Sequence, residues 1–222
     1  MKKVILFFCF LTGISLNLSA QNTEHRKYRF GQSIIKISPA HLLGHFPTAQ
    51  LGLEQRLTDK IALQCDFGVA INYDNSFQKR DVDMHGYKAK IELRRYIPTQ
   101  SSNWRFFVAP ELWYNHIDYK ATRTYQVHDE SQLNYLQYLK SPAHYRERSI
   151  ALNMGAVFTS GRFVIDFQGG VATRFIRNKI VSPGSGYEVQ SSDKNNLDIF
   201  HEAKSLNTIL PTFDIRVGYI IK

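Results

Sequence analysis

"KIALQCDFGVAI", residues 60–71, decides how this chain folds. Ile61, Leu63, Cys65, Phe67, Val69 and Ile71 fall on one face of an extended backbone, and Ala62, Gln64, Asp66, Gly68 and Ala70 on the other. A strand points successive side chains to opposite faces, so this spacing specifies sheet rather than helix. Which face meets water is the open question. A soluble sheet turns its apolar face inward. A membrane barrel turns it outward, into lipid.

The same period recurs along the chain. "TAQLGLEQRL" sets Leu51 and Leu53 against Glu54 and Arg56. "GYKAKIELRRY" sets Ile91 and Leu93 against Lys88, Lys90, Glu92 and Arg94. "RFFVAPELWYN" sets Phe106, Val108 and Leu112 against Phe107 and Glu111, and "SIALNMGAVF" sets Ile150 and Leu152 against Ala151 and Asn153. "RFVIDFQGGVATRF" sets Ile165 and Phe167 against Asp166 and Arg174. "LPTFDIRVGYII" sets Phe213 and Ile215 against Asp214 and Arg216, and "SIIKISPAHL" adds a weaker segment with Lys36 on its polar face. These segments predict eight strands, most near the ~9–11 residues of a tilted membrane strand. Pro39, Pro110 and Pro211 remove ladder donors and predict strand ends or bulges.

Connections alternate in length. "TDK", "PTQSSN" and "TSGR" are tight. The segments around 72–86, 118–147 and 177–207 are long, and only the one around "HLLGHFP" is short among that set. Turns at one end and loops at the other are the layout of an outer-membrane barrel. Within the second long segment, "DESQLNYLQYLKSP" spaces Leu133, Leu136 and Leu139 along one side and ends at Pro142, which predicts a short helix.

The polar faces, assigned inward, supply the cations Lys36, Arg56, Lys88, Lys90, Arg94, Arg174 and Arg216. They also supply the anions Glu54, Asp66, Glu92, Glu111, Asp166 and Asp214. An eight-stranded barrel holds side chains and little else, and buried charges need partners. This near-balanced set predicts an internal ion network. The opposite faces, with Leu51, Leu53, Ile61, Leu63, Phe67, Val69, Ile91, Leu93, Ile165, Phe167, Phe213 and Ile215, are then the lipid-facing wall. Aromatic residues sort into two bands. Tyr28, Phe30, Tyr96, Trp104 and Tyr219 belong to the turn end, and Tyr73, Phe77, Tyr87, Tyr114, Tyr119, Tyr145 and Phe175 to the loop end. Such bands suit membrane interfaces.

The N-terminus has the pattern of a secretory signal. Lys2 and Lys3 precede the apolar "VILFFCFL", and "SLNLSAQ" offers a cleavage site after Ala20. Residues 1–20 are thus read as a signal peptide and 21–222 as one barrel domain. Cys65 is then the only cysteine of the mature chain, which excludes an internal disulfide. The formal charge is +9. The excess gathers near the turn end, at Arg26, Lys27, Arg29, Lys60, Arg95, Arg105, Arg162 and Lys222, while the long loops count near neutral.

"SPAHLLGHFPTAQLGLEQRLTDKIALQCDFGVA", "GYKAKIELRRYI", "FFVAPELWYN" and "FDIRVGYIIK" together resemble the small eight-stranded outer-membrane barrels. The resemblance is strongest to a Bacteroidetes-type barrel family of unknown function. It implies an all-β, antiparallel up-and-down eight-stranded transmembrane barrel in the outer membrane of a Gram-negative cell. The motifs specify architecture and not chemistry.

Catalytic and metal signals are sparse. Gly-x-Ser-x-Gly, phosphate-loop and His-Glu-x-x-His patterns are all lacking in the sequence. His41 and His45 are four apart, but Gly44 and Pro47 break the helix that would align them. Asp74, Asp81 and Asp83 lack spaced calcium-loop ligands. No cofactor is expected. The expected role is non-catalytic, envelope-structural or surface-interacting through the long loops. Its partners are outer-membrane lipids and lipopolysaccharide, with an external protein or glycan at the loops, and not nucleic acid. One alternative is a lipid A-modifying rim enzyme using His116, Asp118 and Tyr119, with His144 or Ser149 approaching. The other is a soluble periplasmic ligand-binding barrel with an apolar pocket.

Overall fold

The computed structural model describes residues 31–44, 46–72, 81–98, 103–128, 134–181, 187–189 and 205–221. The proposed signal segment, His45, Tyr28, Phe30, Tyr73, Asp74 and Phe77 lie outside these.

Nine strands are described: β1 Ser33–Ile37, β2 Thr48–Arg56, β3 Ile61–Ala70, β4 Asp81–Ile97, β5 Trp104–His128, β6 Asn134–Ser160, β7 Phe163–Ile180, β8 Tyr187–Val189 and β9 Ser205–Ile220. All described pairings are antiparallel. Each of the long strands pairs with its neighbour in sequence, β1 pairs with β9, and β4 pairs with β5, so the sheet closes on itself. Strand β8 stands outside this ring and, among the described residues, joins only β5, through Tyr125↔Val189 to Val127↔Tyr187. The fold is therefore an all-β, antiparallel up-and-down barrel whose wall has eight staves, with one further short strand. Closure removes the free edges that an open sheet would expose.

Local chemistry explains the turns. Between β2 and β3 the Thr58 hydroxyl accepts from the Ile61 amide at 2.9 Å and faces the Lys60 amide at 3.2 Å, tightening the reversal. Between β6 and β7 only Gly161 and Arg162 intervene, and Gly161 adopts φ +61°, a left-handed conformation that glycine enters without strain. The start of β1 and the end of β9 share this turn end, because Ile34 pairs with Ile220.

At the other end the strands outgrow the ring. β5 has 25 residues and β6 has 27. Their ladder continues without a break to His128↔Asn134. The predicted helix over 129–142 is therefore corrected: from Asn134 onward this stretch is strand, and residues 129–133 lie outside the described set. "ATRTYQVH" on β5 is rich in strand-forming Thr, Tyr and Val, and cross-strand pairing overrides the leucine spacing. The long segment 118–147 is likewise mostly a two-stranded arm rather than a loop.

The prolines behave differently from one another. Pro39 ends β1 and starts a 3-10 turn, Pro39–Leu43. Pro110 lies within β5, where the β4 ladder passes from Glu92↔Glu111 to Arg95↔Val108 and resumes in the same register. Pro211 lies within β9, paired with Val171, and no bulge is seen there. The register shift falls instead between Val82 and His85. There Asp83 has φ 55° and Gly86 φ 153°.

Candidate functional site

The two faces of the wall differ completely in chemistry. Leu51, Leu53, Ile61, Phe67, Val69, Ile91, Leu93, Phe167 and Phe213 are exposed on the outside, and Leu63, Ile165 and Ile215 are half-exposed there. Inside lie Lys36, Glu54, Arg56, Asp66, Lys88, Lys90, Glu92, Arg94, Glu111, Asp166, Asp214 and Arg216, all buried. Among the described residues, no helix is long and apolar enough to cross a membrane.

The interior is layered. Nearest the turn end, Ile34, Ala62, Tyr96, Phe107, Ala109, Val157, Val164 and Ile220 form an apolar floor. The Arg56 guanidinium lies 3.6 Å over the Tyr96 ring, and that of Arg94 lies 4.2 Å over Phe107. Ions fill the layer above. Lys36 donates to Glu54 at 2.5 Å, to Asp166 at 2.8 Å and to Gln64 at 3.0 Å. Arg94 donates to Asp166 and to Glu92, both at 2.6 Å. Arg216 reaches Asp214 at 2.9 Å, Glu92 at 3.1 Å and Asp66 at 3.3 Å. Lys90 donates to Asp214 at 2.9 Å. Lys36, Lys90, Arg94 and Arg216 thus each meet a carboxylate from another stave, the condition under which desolvated ions are tolerable.

Arg174 departs from the predicted set. It is half-buried away from the central layer, 3.5 Å from Glu147 and stacked 4.7 Å over Trp113. Glu147 was missed in the sequence because strand β6 begins well before Ile150. Its parity with Ser149 and Ala151 would have placed it inside. With Glu147, the seven inward carboxylates among the described residues balance the seven cations of the predicted set.

His41 is another inward residue that the sequence pattern did not mark. The 3-10 turn carries its ring into the lumen, 3.3 Å from Lys88 Nζ and 3.3 Å from Asp214 Oδ2. Lys90 Nζ also lies 3.2 Å from Nε2, so the ring meets two ammonium groups and one carboxylate. Burial, with Lys88 and then Lys90 beside it, lowers the His41 pKa from 6.5 to about 3 against the opposing pull of Asp214. The ring is therefore neutral at physiological pH.

Above the ions, Met84, Ile117, Tyr119, Ala121, Ala143, Tyr145 and Ile176 form a second apolar layer. Phe46 packs against it, 5.3 Å from the Tyr119 ring and 4.6 Å from Tyr145. The aromatic bands are corrected accordingly. Tyr96, Tyr119 and Tyr145 share parity with inward polar residues and are buried inside. Trp104, Phe106, Phe163 and Tyr219 are on the outer wall at the turn end, and Tyr87, Tyr114 and Phe175 at the loop end.

The charge map is also revised. Just beyond Tyr114 and Phe175, the outer wall presents Arg146, Arg148, Arg177 and Lys179, all exposed. Arg146 is opposite Arg177, and Arg148 is opposite Phe175. Counting residues by loop hid this band, because these positions belong to strands and all face the same way.

The rim constellation is only partly assembled. Asp118 lies 2.6 Å from His144 Nδ1, 3.5 Å from His116 Nε2 and 3.8 Å from His85 Nε2 on the outer wall. Ser149 and Tyr119 face the lumen, so neither joins that group as a nucleophile or an acid. Asp83 pairs with Lys120 at 2.8 Å on the surface. Among the described residues no cluster of three or more His, Cys, Asp or Glu is arranged to hold a metal ion.

No family model matches the sequence, and no curated protein matches it. Among solved structures, the chain is similar to the N-terminal β-barrel domain of Pseudomonas aeruginosa OprF. That similarity spans 87% of this chain and 100% of that one, at 10% identity and a TM-score of 0.37.

Proposed function

We propose that this chain is a non-catalytic, non-conducting outer-membrane barrel with an envelope-structural and surface-interacting role. The observation that carries the reading is the inverted distribution of side chains: aliphatic and aromatic residues outside, paired ions inside. Soluble proteins seldom expose contiguous apolar patches beyond ~300–600 Å², and here the apolar exterior continues around the ring. Tight turns and both ends of the sheet then face the periplasm, and the β5–β6 arm faces the outside. The floor, the ion layer and the Phe46-centred layer fill the lumen, which argues against conduction. The soluble alternative requires these faces reversed.

The Arg146, Arg148, Arg177 and Lys179 band suits the phosphates of outer-leaflet lipopolysaccharide. Guanidinium groups bind phosphate through paired hydrogen bonds, and the flanking aromatic rings suit the interface. The arm is the element that meets an external protein or glycan.

The test is fractionation with gel migration. The chain is expected in the outer-membrane fraction, migrating differently before and after boiling, and reconstituted bilayers are expected to show no stable ionic conductance. Recovery as a detergent-free soluble monomer would overturn the reading. Replacing Arg146, Arg148 and Arg177 together by Gln is expected to reduce co-purifying lipopolysaccharide phosphate while leaving the heat shift intact.

A further inference from the structure

Strand register sets the side chains above the loop-end girdle into rows on the outer wall. Tyr114 of β5 is opposite Arg148 of β6, which is opposite Phe175 of β7, so Arg148 belongs to the girdle itself. Two residues further along each strand, Tyr87, His116, Arg146 and Arg177 are opposite one another in turn, from β4 to β7. Two further still, His85, Asp118, His144 and Lys179 make the next row across the same four strands. Alternate residues of a strand share a face and neighbouring strands are ~4.8 Å apart, so the two rows form one continuous patch.

Two features of this patch work against the sheet that carries it. Like charges directly opposite each other destabilise a strand pair. Here Arg146 is opposite Arg177, and beside them His144, which gains a charge on protonation, is opposite Lys179. The second feature is a shared carboxylate. Asp118 lies 2.6 Å from His144 Nδ1, 3.5 Å from His116 Nε2 and 3.8 Å from His85 Nε2. Three imidazoles thus converge on a group that balances only one of them.

The surrounding charges do not relieve this. Asp83 of β4 is taken up by Lys120 of β5 at 2.8 Å. Among the described residues, the other charged groups nearby on these strands, Arg148 and Lys140 of β6, are exposed cations. With neutral imidazoles, Arg146, Arg177 and Lys179 against Asp118 give the two rows a net charge of +2, and three protonated imidazoles raise it to +5. Imidazole makes this change between about pH 8 and pH 5.

We infer that the two rows are one anion site of adjustable charge, whose ligand is a lipid phosphate of the outer leaflet and whose hold tightens as the surroundings acidify. A phosphate shared between opposed cations offsets their repulsion and pairs with the imidazolium groups that Asp118 leaves unbalanced. The rings of Tyr87, Tyr114 and Phe175 set the patch at headgroup level, which selects lipid over a dissolved ion. The inference rests on the lipid-phosphate reading of the arginine band above and adds the regulation of that site.

The test uses the full chain folded in neutral detergent micelles and titrated with phosphatidylglycerol, a phosphodiester whose own charge stays constant over the range used. Lipid phosphorus bound to the chain is measured by equilibrium gel filtration at about pH 8 and about pH 5. Affinity is expected to rise about threefold to tenfold in acid, as for two or three added exposed ion pairs. The combined variant His85→Gln, His116→Gln and His144→Gln is expected to lose that rise. Asp118→Asn is expected to tighten binding at the higher pH, because it removes the one anion of the rows. Binding by the parent chain that is equal at both pH values would overturn the inference while leaving the lipid-phosphate reading in place. So would a full acid response in the triple variant, or no gain in Asp118→Asn. Competition by inorganic phosphate as strong as that of the lipid would overturn the lipid assignment. No binding by the parent chain at either pH would remove the lipid-phosphate reading, and the inference with it. Heat-shifted migration checks the barrel in every variant.

Discussion

Arg216 shows how the interior is held. It is 1% exposed and contacts carboxylates from four other staves, Asp66 on β3, Glu92 on β4, Glu111 on β5 and Asp166 on β7. Arg216→Ala leaves these anions without a central partner in a desolvated layer. A loss of about 3–5 kcal/mol is expected, read as a lower midpoint in denaturant-dependent gel migration. His41 gives a pH-dependent prediction. Its pKa is lowered from 6.5 to about 3 when docked, chiefly by burial and then by Lys88 and Lys90, with Asp214 opposing. The undocked ring takes up a proton below about pH 6.5 while the docked ring stays neutral. Docking of the 3-10 turn is therefore fully stable above that pH and weakens as pH falls toward 3, by at most about 1.4 kcal/mol per unit. Hydrogen exchange of residues 38–44, corrected for the intrinsic rate, is expected to rise on acidification, and His41→Gln is expected to flatten that rise. Much at this scale was legible in the sequence, because parity alone sorts Asp66 from Phe67 and Lys90 from Ile91. His41 was not legible, since parity says nothing about a side chain on a turn that folds into the lumen. Trp113 and Arg174 had the right parity, but their stacking is a three-dimensional fact.

At the scale of elements, strands were readable where one face is apolar, and their ends were not. The ring portions of β2, β3 and β7 follow the alternation closely. The β5–β6 arm lacks a lipid-facing aliphatic row, so its pattern was read as a loop with a helix. Its stability comes from pairing, including the Tyr125 and Ser141 hydroxyls at 2.7 Å. The arm needs nothing from the barrel lumen. Joining Thr122 to Lys140 through a tight turn is expected to leave the heat shift and its midpoint nearly unchanged while removing any external partner binding. The bulge at the top of β4 is expected to be less tolerant. A Cβ on Gly86 would sit 2.1 Å from the His116 carbonyl oxygen, at φ 153°. Gly86→Ala is expected to cost about 1–3 kcal/mol locally, seen as faster exchange at 81–86 and 116–121 with the rest of the ring protected.

At the scale of the whole molecule, one inversion organises everything else. A ring this narrow has no room for a solvent core, so it fills with side chains. Putting ions there leaves the greasy residues outside, which only a bilayer solvates well. Ring closure was legible from strand count and turn alternation. The short β1 stave and the 3-10 turn that follows it were foreshadowed only by Pro39, because the ends of neighbouring strands are a property of their pairing. The most direct test returns to residues 61–70. Spin labels placed one at a time along β3 in a lipid bilayer, with native Cys65 used as one site and otherwise replaced, report collisions with oxygen and with a water-soluble nickel complex. Labels at Ile61, Leu63, Cys65, Phe67 and Val69 are expected to be accessible to oxygen and shielded from nickel, alternating with sites shielded from both. Nickel accessibility at Leu63, Cys65 and Phe67, or no alternation, would contradict the inside-out barrel.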